Sequence, residues 1–152
     1  GFNLLIGDAQ QLWYFSNRPK QPNAKLDPPR ALEPGVYGLS NAHLDAPWPK
    51  VELGKQKLGQ LLQKSTKLNH NDLHTLVSNT ESASVTELEK LGLWSETEVA
   101  LSAQFICSKA YGTRSTTTLF SDSFGNTTSW QEVRYDEQGQ RTGESSIDFH
   151  RS

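Results

Sequence analysis

The sequence predicts an α+β fold, because strand-like segments stand near both ends of the chain and helical patterns stand between them. Short apolar and aromatic runs separated by turn residues occupy residues 2–16 and 105–149, whereas residues 49–103 carry apolar side chains at helical spacing. Strands joined by short connections form antiparallel sheets, so a parallel βαβ array is not expected. At this length we expect a single domain over residues 1–152.

The first third of the chain predicts a hairpin followed by a loop. Residues 2–6 and 12–16 are the two strands, with turn residues at 7–10 between them. Five prolines between residues 17 and 34 exclude a helix or a central strand there, so this segment is predicted to be a surface loop. Residues 35–40 are predicted to return to extended structure.

The middle third predicts three helices. The first begins near Pro49 and places Val51, Leu58, Leu61 and Leu62 on one face. Asn71 is expected to cap a second, short helix. A capping box at residues 95–98 begins a third helix that extends to about residue 103.

The last third predicts a β-meander. Strands are expected over residues 105–107, 115–121, 127–135 and 140–149. The connections at residues 122–126 and 136–139 are rich in turn residues.

Composition excludes several classes of protein. With 15 basic and 17 acidic residues the net charge is -2, so no basic field is available to bind a nucleic acid. The apolar runs are too short for a transmembrane segment. The single cysteine excludes an internal disulfide. Hydrophobic content of 34% is low, and the chain starts at Gly1 without any methionine, so we expect that upstream residues and part of the core are absent.

Residues 38–50 are the most distinctive stretch. The Asn41 amide, at a predicted strand end, offers two donors and suits an oxyanion hole or a ligand contact. Asp45 could orient a partner base or cap the next helix, and Trp48 is placed with them at the candidate site. The alternative is loop bracing, in which Asn41 and Asp45 satisfy backbone groups and Trp48 fills the core.

Two arginine motifs are candidates for binding an anion. Arg114 follows a glycine and is flanked by Ser115 and Thr116, and its planar fork suits a carboxylate or a phosphate. The alternative is an ion pair with an internal aspartate. Asn17 and Arg18 stand at the point where a strand ends and the proline-rich loop begins. From this position Arg18 can enter a cleft, and the alternative is that it is a solvated loop residue.

Two further features are interpreted as structural. His70 and His74 have a spacing that can hold a metal, but no third ligand is apparent and Asn71 stands where a metalloprotease motif has glutamate. We therefore expect a surface helix and no metal site. Cys107 lies in an apolar run and is predicted to be a buried thiol.

Residues 1–4 with 14–18, residues 34–50 and residues 111–117 together resemble the Transport and Golgi organisation 2 (NRDE-type) family. The resemblance implies an N-terminal-nucleophile-hydrolase-like fold, an αββα layered sandwich with antiparallel sheets, here incomplete at its N-terminus. It implies that the chain is the C-terminal part of a longer domain, whose missing N-terminal segment would be its partner. The family's N-terminal cysteine and Asn-Arg-Asp-Glu motif are absent, so the chain alone is expected not to be an enzyme.

The resemblance also implies a function. The implied function is that of a cytoplasmic protein that handles or traffics haem or acyl-CoA-like lipids through a cleft, with Golgi or mitochondrial association only in a eukaryote. Haem would be a ligand and no cofactor would be required. Arg18 and Arg114 would contact its carboxylate or phosphate, and Asn41 would donate a hydrogen bond.

The alternative implied function is an amidohydrolase, in which a cysteine missing from this chain attacks a C–N amide bond and Asn41 forms the oxyanion hole. A more distant similarity to bile-salt (choloylglycine) hydrolases and penicillin V acylases rests on residues 40–41 and 44–45. A purely structural interaction protein would show no cleft beside these motifs.

Overall fold

A computed structural model describes residues 1–8, 10–19, 23–65, 67–93, 95–108, 111–122 and 127–150. The α+β class is confirmed, with two antiparallel three-stranded sheets and four helices in this part of the chain. The elements are β1 Asn3–Gly7, β2 Leu12–Ser16, β3 Arg30–Leu32, α1 Pro49–Lys64, α2 His70–Leu76, α3 Val85–Glu89, α4 Glu96–Ala100, β4 Ser115–Ser121, β5 Thr127–Tyr135 and β6 Arg141–His150. The four-layer αββα arrangement remains a prediction.

The first sheet has the strand order β1-β2-β3. The predicted hairpin is confirmed, with Leu5 opposite Tyr14 in the register. The third strand, β3, lies in the proline-rich segment, where no strand was expected. It has three residues and lies at the edge of the first sheet. Pro29 and Pro34 on either side of it have no N–H group, which an edge strand tolerates because one of its sides makes no ladder hydrogen bonds.

The second sheet is the predicted meander, β4-β5-β6. Its strands agree with the predicted bounds to within one residue. The turn predicted at residues 122–126 falls mostly on residues outside the described part of the chain. The short strand predicted at residues 105–107 is only an isolated bridge between Cys107 and Gly112. Cys107 is exposed, so the prediction of a buried thiol is wrong, and the buried side chain of this segment is Phe105.

The helices follow the sequence with three corrections. The predicted capping box of Ser95 and Glu98 is confirmed at α4, which ends at Ala100. A second capping box, between Ser84 and Glu87, begins the unpredicted helix α3. The cap of α2 is Asn69, whose side chain accepts from the amide of residue 72 at 3.0 Å; Asn71 is inside the helix.

The core is small, and its residues come from β2, the loop before α1, α1, α3, the segment after α4 and β5. Large apolar side chains remain exposed on both sheets, and Leu62 on α1 is also exposed rather than on its packed face. The buried apolar residues are Tyr14, Leu44, Val51, Leu88, Ala103, Phe105 and Val133. No described helix has the length and apolar character needed to cross a membrane.

Candidate functional site

The loop over residues 38–48, which we call the Asn41 loop, is attached to the first sheet by side-chain hydrogen bonds. The Nδ2 of Asn3 donates to the carbonyl oxygen of Ala42 at 2.9 Å, and its Oδ1 accepts from the hydroxyl of Tyr14 at 2.8 Å. The same hydroxyl accepts from the amide of Leu44 at 3.1 Å. Tyr14 and Leu44 are both buried, so the bond between them is shielded from water, and together the three bonds hold the loop on the sheet.

Asp45 closes the loop. Its carboxylate accepts from the amide of Gly38 at 2.9 Å and from Nζ of Lys55 at 2.9 Å. Burial raises the pKa of the Asp45 carboxyl, but the hydrogen bonds from Lys55 and Gly38 and the Lys55 charge outweigh it, so the pKa lies below its ordinary value. The same hydrogen bond raises the pKa of Lys55. Asp45 therefore braces the loop.

Gly38 is needed at this point because the loop runs directly against α1. A Cβ atom there would lie 2.6 Å from Cγ1 of Val51 and 3.2 Å from Cδ of Lys55. The two hydrogen bonds between Gly38 and Asp45 turn the backbone into a loop. They also explain why residues 35–40, predicted to be extended, join no strand of either sheet.

Asn41 is exposed and lines a cavity of about 450 Å³ between this loop and α1, which we call the Asn41 cavity. One part of its wall is apolar, from Leu58 on α1 and from Leu76 and Val77 at the end of α2. The remaining lining residues are Tyr37, Gly38, Leu39, Ser40, Lys50, Val51, Gly54, Lys55 and Gln104.

Two groups at the Asn41 cavity are constrained by burial. Lys50 donates from Nζ to the carbonyl oxygen of Leu101 at 2.7 Å, and burial lowers the pKa of its ammonium group. Gln104 donates from Nε2 to the carbonyl oxygen of Lys50 at 3.1 Å, whereas its buried Oε1 has no partner in the described chain. A buried amide oxygen without a donor is costly, so it favours a bound donor or water nearby.

Trp48 positions the start of α1 and is half-buried. Its carbonyl oxygen accepts from the amides of Val51 and Glu52, and its ring lies 5.5 Å from Nζ of Lys50. This is a cation–π contact in which the indole faces a partly buried ammonium group. Trp48 itself does not line the Asn41 cavity, so it contributes to the site through Lys50.

Asn17 and Arg18 behave differently from each other. Asn17 continues the β1–β2 pairing, with its amide donating to the carbonyl oxygen of Phe2 at 3.2 Å and its Oδ1 accepting from the Phe2 amide at 2.5 Å. Its role in the structure is therefore to hold the chain start. Arg18 lines a separate cavity of about 150 Å³ together with Arg30 and His43, two residues that sequence reasoning did not nominate.

Arg114, Ser115 and Thr116 begin the second sheet and line neither cavity. The carbonyl oxygen of Arg114 accepts from the amide of Tyr135, and its exposed guanidinium has no hydrogen bond or ion pair to the described part of the chain. Ser115 is exposed and Thr116 half-buried. That Asn41 and Arg114 share one site stays a prediction.

The two histidines of α2 are half-buried and face the second sheet, on a helix without fully buried residues. His70 contacts the hydroxyls of Thr118 at 2.6 Å and Ser129 at 3.0 Å, and His74 contacts Oε1 of Gln131 at 3.0 Å. Thr118 and Gln131 are opposite each other on β4 and β5, which sequence spacing within α2 could not reveal. Among the described residues, no three metal-binding side chains come together.

Comparisons with known proteins agree on one family. The family model described as Transport and Golgi organisation 2 matches residues 1–137. The chain is 29% identical over 161 residues to a mouse Transport and Golgi organization 2 homolog, covering 98% of this chain and 56% of the relative. It is 31% identical over 140 residues to the human homolog, covering 84% of this chain and 49% of the relative. The chain thus spans about half the length of these curated relatives.

Proposed function

The chain belongs to the Transport and Golgi organisation 2 family, and we propose that it binds a small amphiphile, haem or an acyl-CoA-like molecule, in the Asn41 cavity. The observation that carries the proposal is that apolar and polar side chains line this one cavity. Leu58, Leu76 and Val77 supply apolar surface, and Asn41 supplies a hydrogen-bonding amide. A volume of about 450 Å³ falls within the ~300–1,000 Å³ of small-molecule sites.

Two of the polar side chains that line the Asn41 cavity also carry positive charge. Lys50 and Lys55 both line the cavity, and of these two only Lys55 is paired with a carboxylate of the described residues, that of Asp45. An acidic group of the ligand would therefore meet one ammonium group that no protein acid neutralises in the described chain. The sequence also predicts contacts from Arg18 and Arg114, and their part in binding stays a prediction because neither lines this cavity.

Apolar contact would supply most of the affinity. Each buried methylene contributes about 0.8 kcal/mol, so four methylenes against the leucines correspond to about 3 kcal/mol. The polar groups then fix the orientation of the ligand. In this proposal the protein is a cytoplasmic handling or trafficking protein that holds its ligand without changing it.

The alternative, an amidohydrolase, uses as its nucleophile a cysteine that is not among these 152 residues. Cys107 does not line the Asn41 cavity and is not that nucleophile. The amphiphile proposal uses only groups that lie around the cavity, and for that reason we favour it. Assaying the same samples for release of free coenzyme A thiol, or of amine from an acyl amide, separates binding from turnover.

Two glycines of α1 provide the test. Gly54 lines the cavity, and a Cβ atom there would lie 3.0 Å from Nε2 of Gln104. A Cβ atom at Gly59 would have no described residue within 4 Å outside its own helix turn. Gly54→Leu should place an isobutyl group in the cavity, and Gly59→Leu makes the same chemical change at an open helix position. Haem and palmitoyl-CoA are titrated into the wild type and both variants.

We expect saturable binding to the wild type and to Gly59→Leu, and at least about 10-fold weaker binding to Gly54→Leu, because the loss of a few buried methylenes amounts to more than 1.4 kcal/mol. Thermal melting of all three proteins controls for folding. Equal affinity in the three proteins, or no saturable binding to the wild type, would refute the proposal.

A further inference from the structure

A second cavity, of about 150 Å³, lies between the first sheet and the far side of the Asn41 loop. Two arginines, Arg18 and Arg30, and one histidine, His43, line it together with the hydroxyl-bearing Tyr14 and Ser16. We call it the arginine cavity. These residues are far apart in the sequence, and only the fold brings them around one space.

Arg30 is positioned by strand pairing. It lies on β3 directly opposite Tyr14 on β2, and its guanidinium carbon is 5.8 Å from the centre of the Tyr14 ring. The ring is buried, so it presents a fixed face to the guanidinium. This contact with the ring orients the Arg30 guanidinium, whose N–H groups lie in the guanidinium plane and can donate to a ligand.

Arg18 is positioned by the chain start and by the end of β2. Its amide donates to Oγ of Ser16 at 3.2 Å. Its side chain runs along Gly1, since a Cβ atom built there would lie 2.5 Å from Cγ and 2.8 Å from Nε of Arg18. The close approach directs the arginine stem along the sheet, and its head lines the cavity.

His43 is brought in by the attachment of the loop. The hydrogen bond between the Leu44 amide and the Tyr14 hydroxyl fixes the neighbouring backbone on the sheet. His43 has an N–H donor in either protonation state. One carboxylate, Asp27, also lines the cavity and has an interaction of its own, so the lining carries two permanent cations against one acid.

We propose that the arginine cavity binds one small oxyanion, a phosphate or a carboxylate group. The cavity of about 150 Å³ is large enough for several water molecules. It can therefore hold one tetrahedral or planar oxyanion with part of its hydration. Two guanidinium groups are the donors that carboxylates and phosphates pair with most strongly.

The inference does not rest on the proposed function, because its probe is inorganic phosphate and its residues are separate from those of the Asn41 cavity. The oxyanion could be a free phosphate or the head group of a larger ligand. Comparing inorganic phosphate with hexyl phosphate distinguishes these sources. Tighter binding of the alkyl ester indicates a head group, and tighter binding of inorganic phosphate indicates the free ion; either result supports the site.

The experiment titrates phosphate into the 152-residue chain at low ionic strength and follows backbone amide NMR shifts. The variants are Arg18→Gln and Arg30→Gln, with Arg141→Gln as the control. Arg141 is exposed on β6 and pairs with Glu144, so this change removes the same charge away from the cavity. Melting without phosphate shows whether each variant folds.

We expect saturable binding to the wild type and to Arg141→Gln, with shifts at the amides of residues 16 and 43. Each of Arg18→Gln and Arg30→Gln should bind about 10-fold or more weakly, as expected for the loss of a charge-assisted hydrogen bond. Added salt should weaken binding further. The inference is overturned if phosphate does not saturate, or if all three variants match the wild type.

Discussion

Gly38 and Asp45 are hydrogen-bonded to each other in both directions. The Gly38 amide donates to Oδ1 of Asp45 at 2.9 Å, and the Asp45 amide donates to the Gly38 carbonyl oxygen at 2.7 Å. The pair closes the segment that carries Asn41 on one side and His43 on the other. Both cavities therefore depend on one closure, since residues of this loop line each of them.

Replacing Asp45 should make the stability of the protein less sensitive to acid. The folded state holds the pKa of this carboxyl below its ordinary value of 3.8, so ionised Asp45 stabilises the fold above that pH, and the contribution is lost as the pH falls through the lowered value. Asp45→Asn should be less stable than the wild type at neutral pH, and the difference should shrink below pH 3.8. Urea unfolding at several pH values measures this, and a difference that does not change with pH would contradict it.

The backbone at Asp45 gives a second comparison. Its φ of 59° is in the left-handed region, which asparagine tolerates and alanine does not. Asp45→Ala should therefore be less stable than Asp45→Asn by about 1–2 kcal/mol. Unfolding of the two variants side by side sets aside the ion pair with Lys55, which both lack, and measures the backbone cost together with the loss of the acceptor for the Gly38 amide.

Gly38→Ala should destabilise the protein by about 1–3 kcal/mol, because the added methyl group overlaps Val51 and forces the loop away from α1. The matched change, Gly59→Ala, adds a methyl group in open space on the same helix. It should stabilise by about 0.5–1 kcal/mol through helix propensity. Chemical denaturation reports both values, and a Gly38→Ala variant as stable as the wild type would show that the loop is not closely packed.

The contact between His70 and Thr118 should contribute to holding α2 on the second sheet. Thr118 is buried, so Thr118→Val keeps the shape of the side chain but leaves a histidine nitrogen without its partner at 2.6 Å. We expect a loss of about 1–3 kcal/mol in the free energy of unfolding. A double-mutant cycle with His70→Phe isolates the pair. Additive single effects would mean that the two side chains do not interact in solution.

Arg114→Ala should weaken binding of an anionic ligand much more than it weakens folding. The exposed guanidinium has no partner in the described chain, and Asp45, the acid considered for an internal pair, is bonded to Lys55. The stability change should stay within about 0.5 kcal/mol. Arg114 lines neither cavity, so the variant tests the ligand contact that the family resemblance implies. With that contact, affinity for haem or palmitoyl-CoA should fall about 10- to 150-fold, with partial rescue by Arg114→Lys. Unchanged affinity with a collapsed melting temperature would make Arg114 a structural residue.

Local patterns in the sequence determined most of the elements. The hairpin, the meander, the first helix and the capping box at Ser95 each depend on residues within a few positions of one another. The motifs that indicated the family are equally local, and the family model matches the region that contains them. Predictions that the structure corrected also depended on residues close together in the sequence. Asn69 and Asn71 both suit a helix cap, and only the reciprocal bond with Asp72 selects the first.

The tertiary structure decided which side chains meet. Asp45 is ten positions from Lys55, and His70 is 48 from Thr118. Arg18 lines one cavity with His43, which lies on the loop that Tyr14 attaches to the sheet. Whether a polar side chain braces a loop, joins a helix to a sheet or lines a cavity depends on the partner that long-range packing supplies, and a pattern along one segment does not contain that partner. For this reason the sequence identified the loop that carries Asn41, whereas the cavities on its two sides became visible only in the fold.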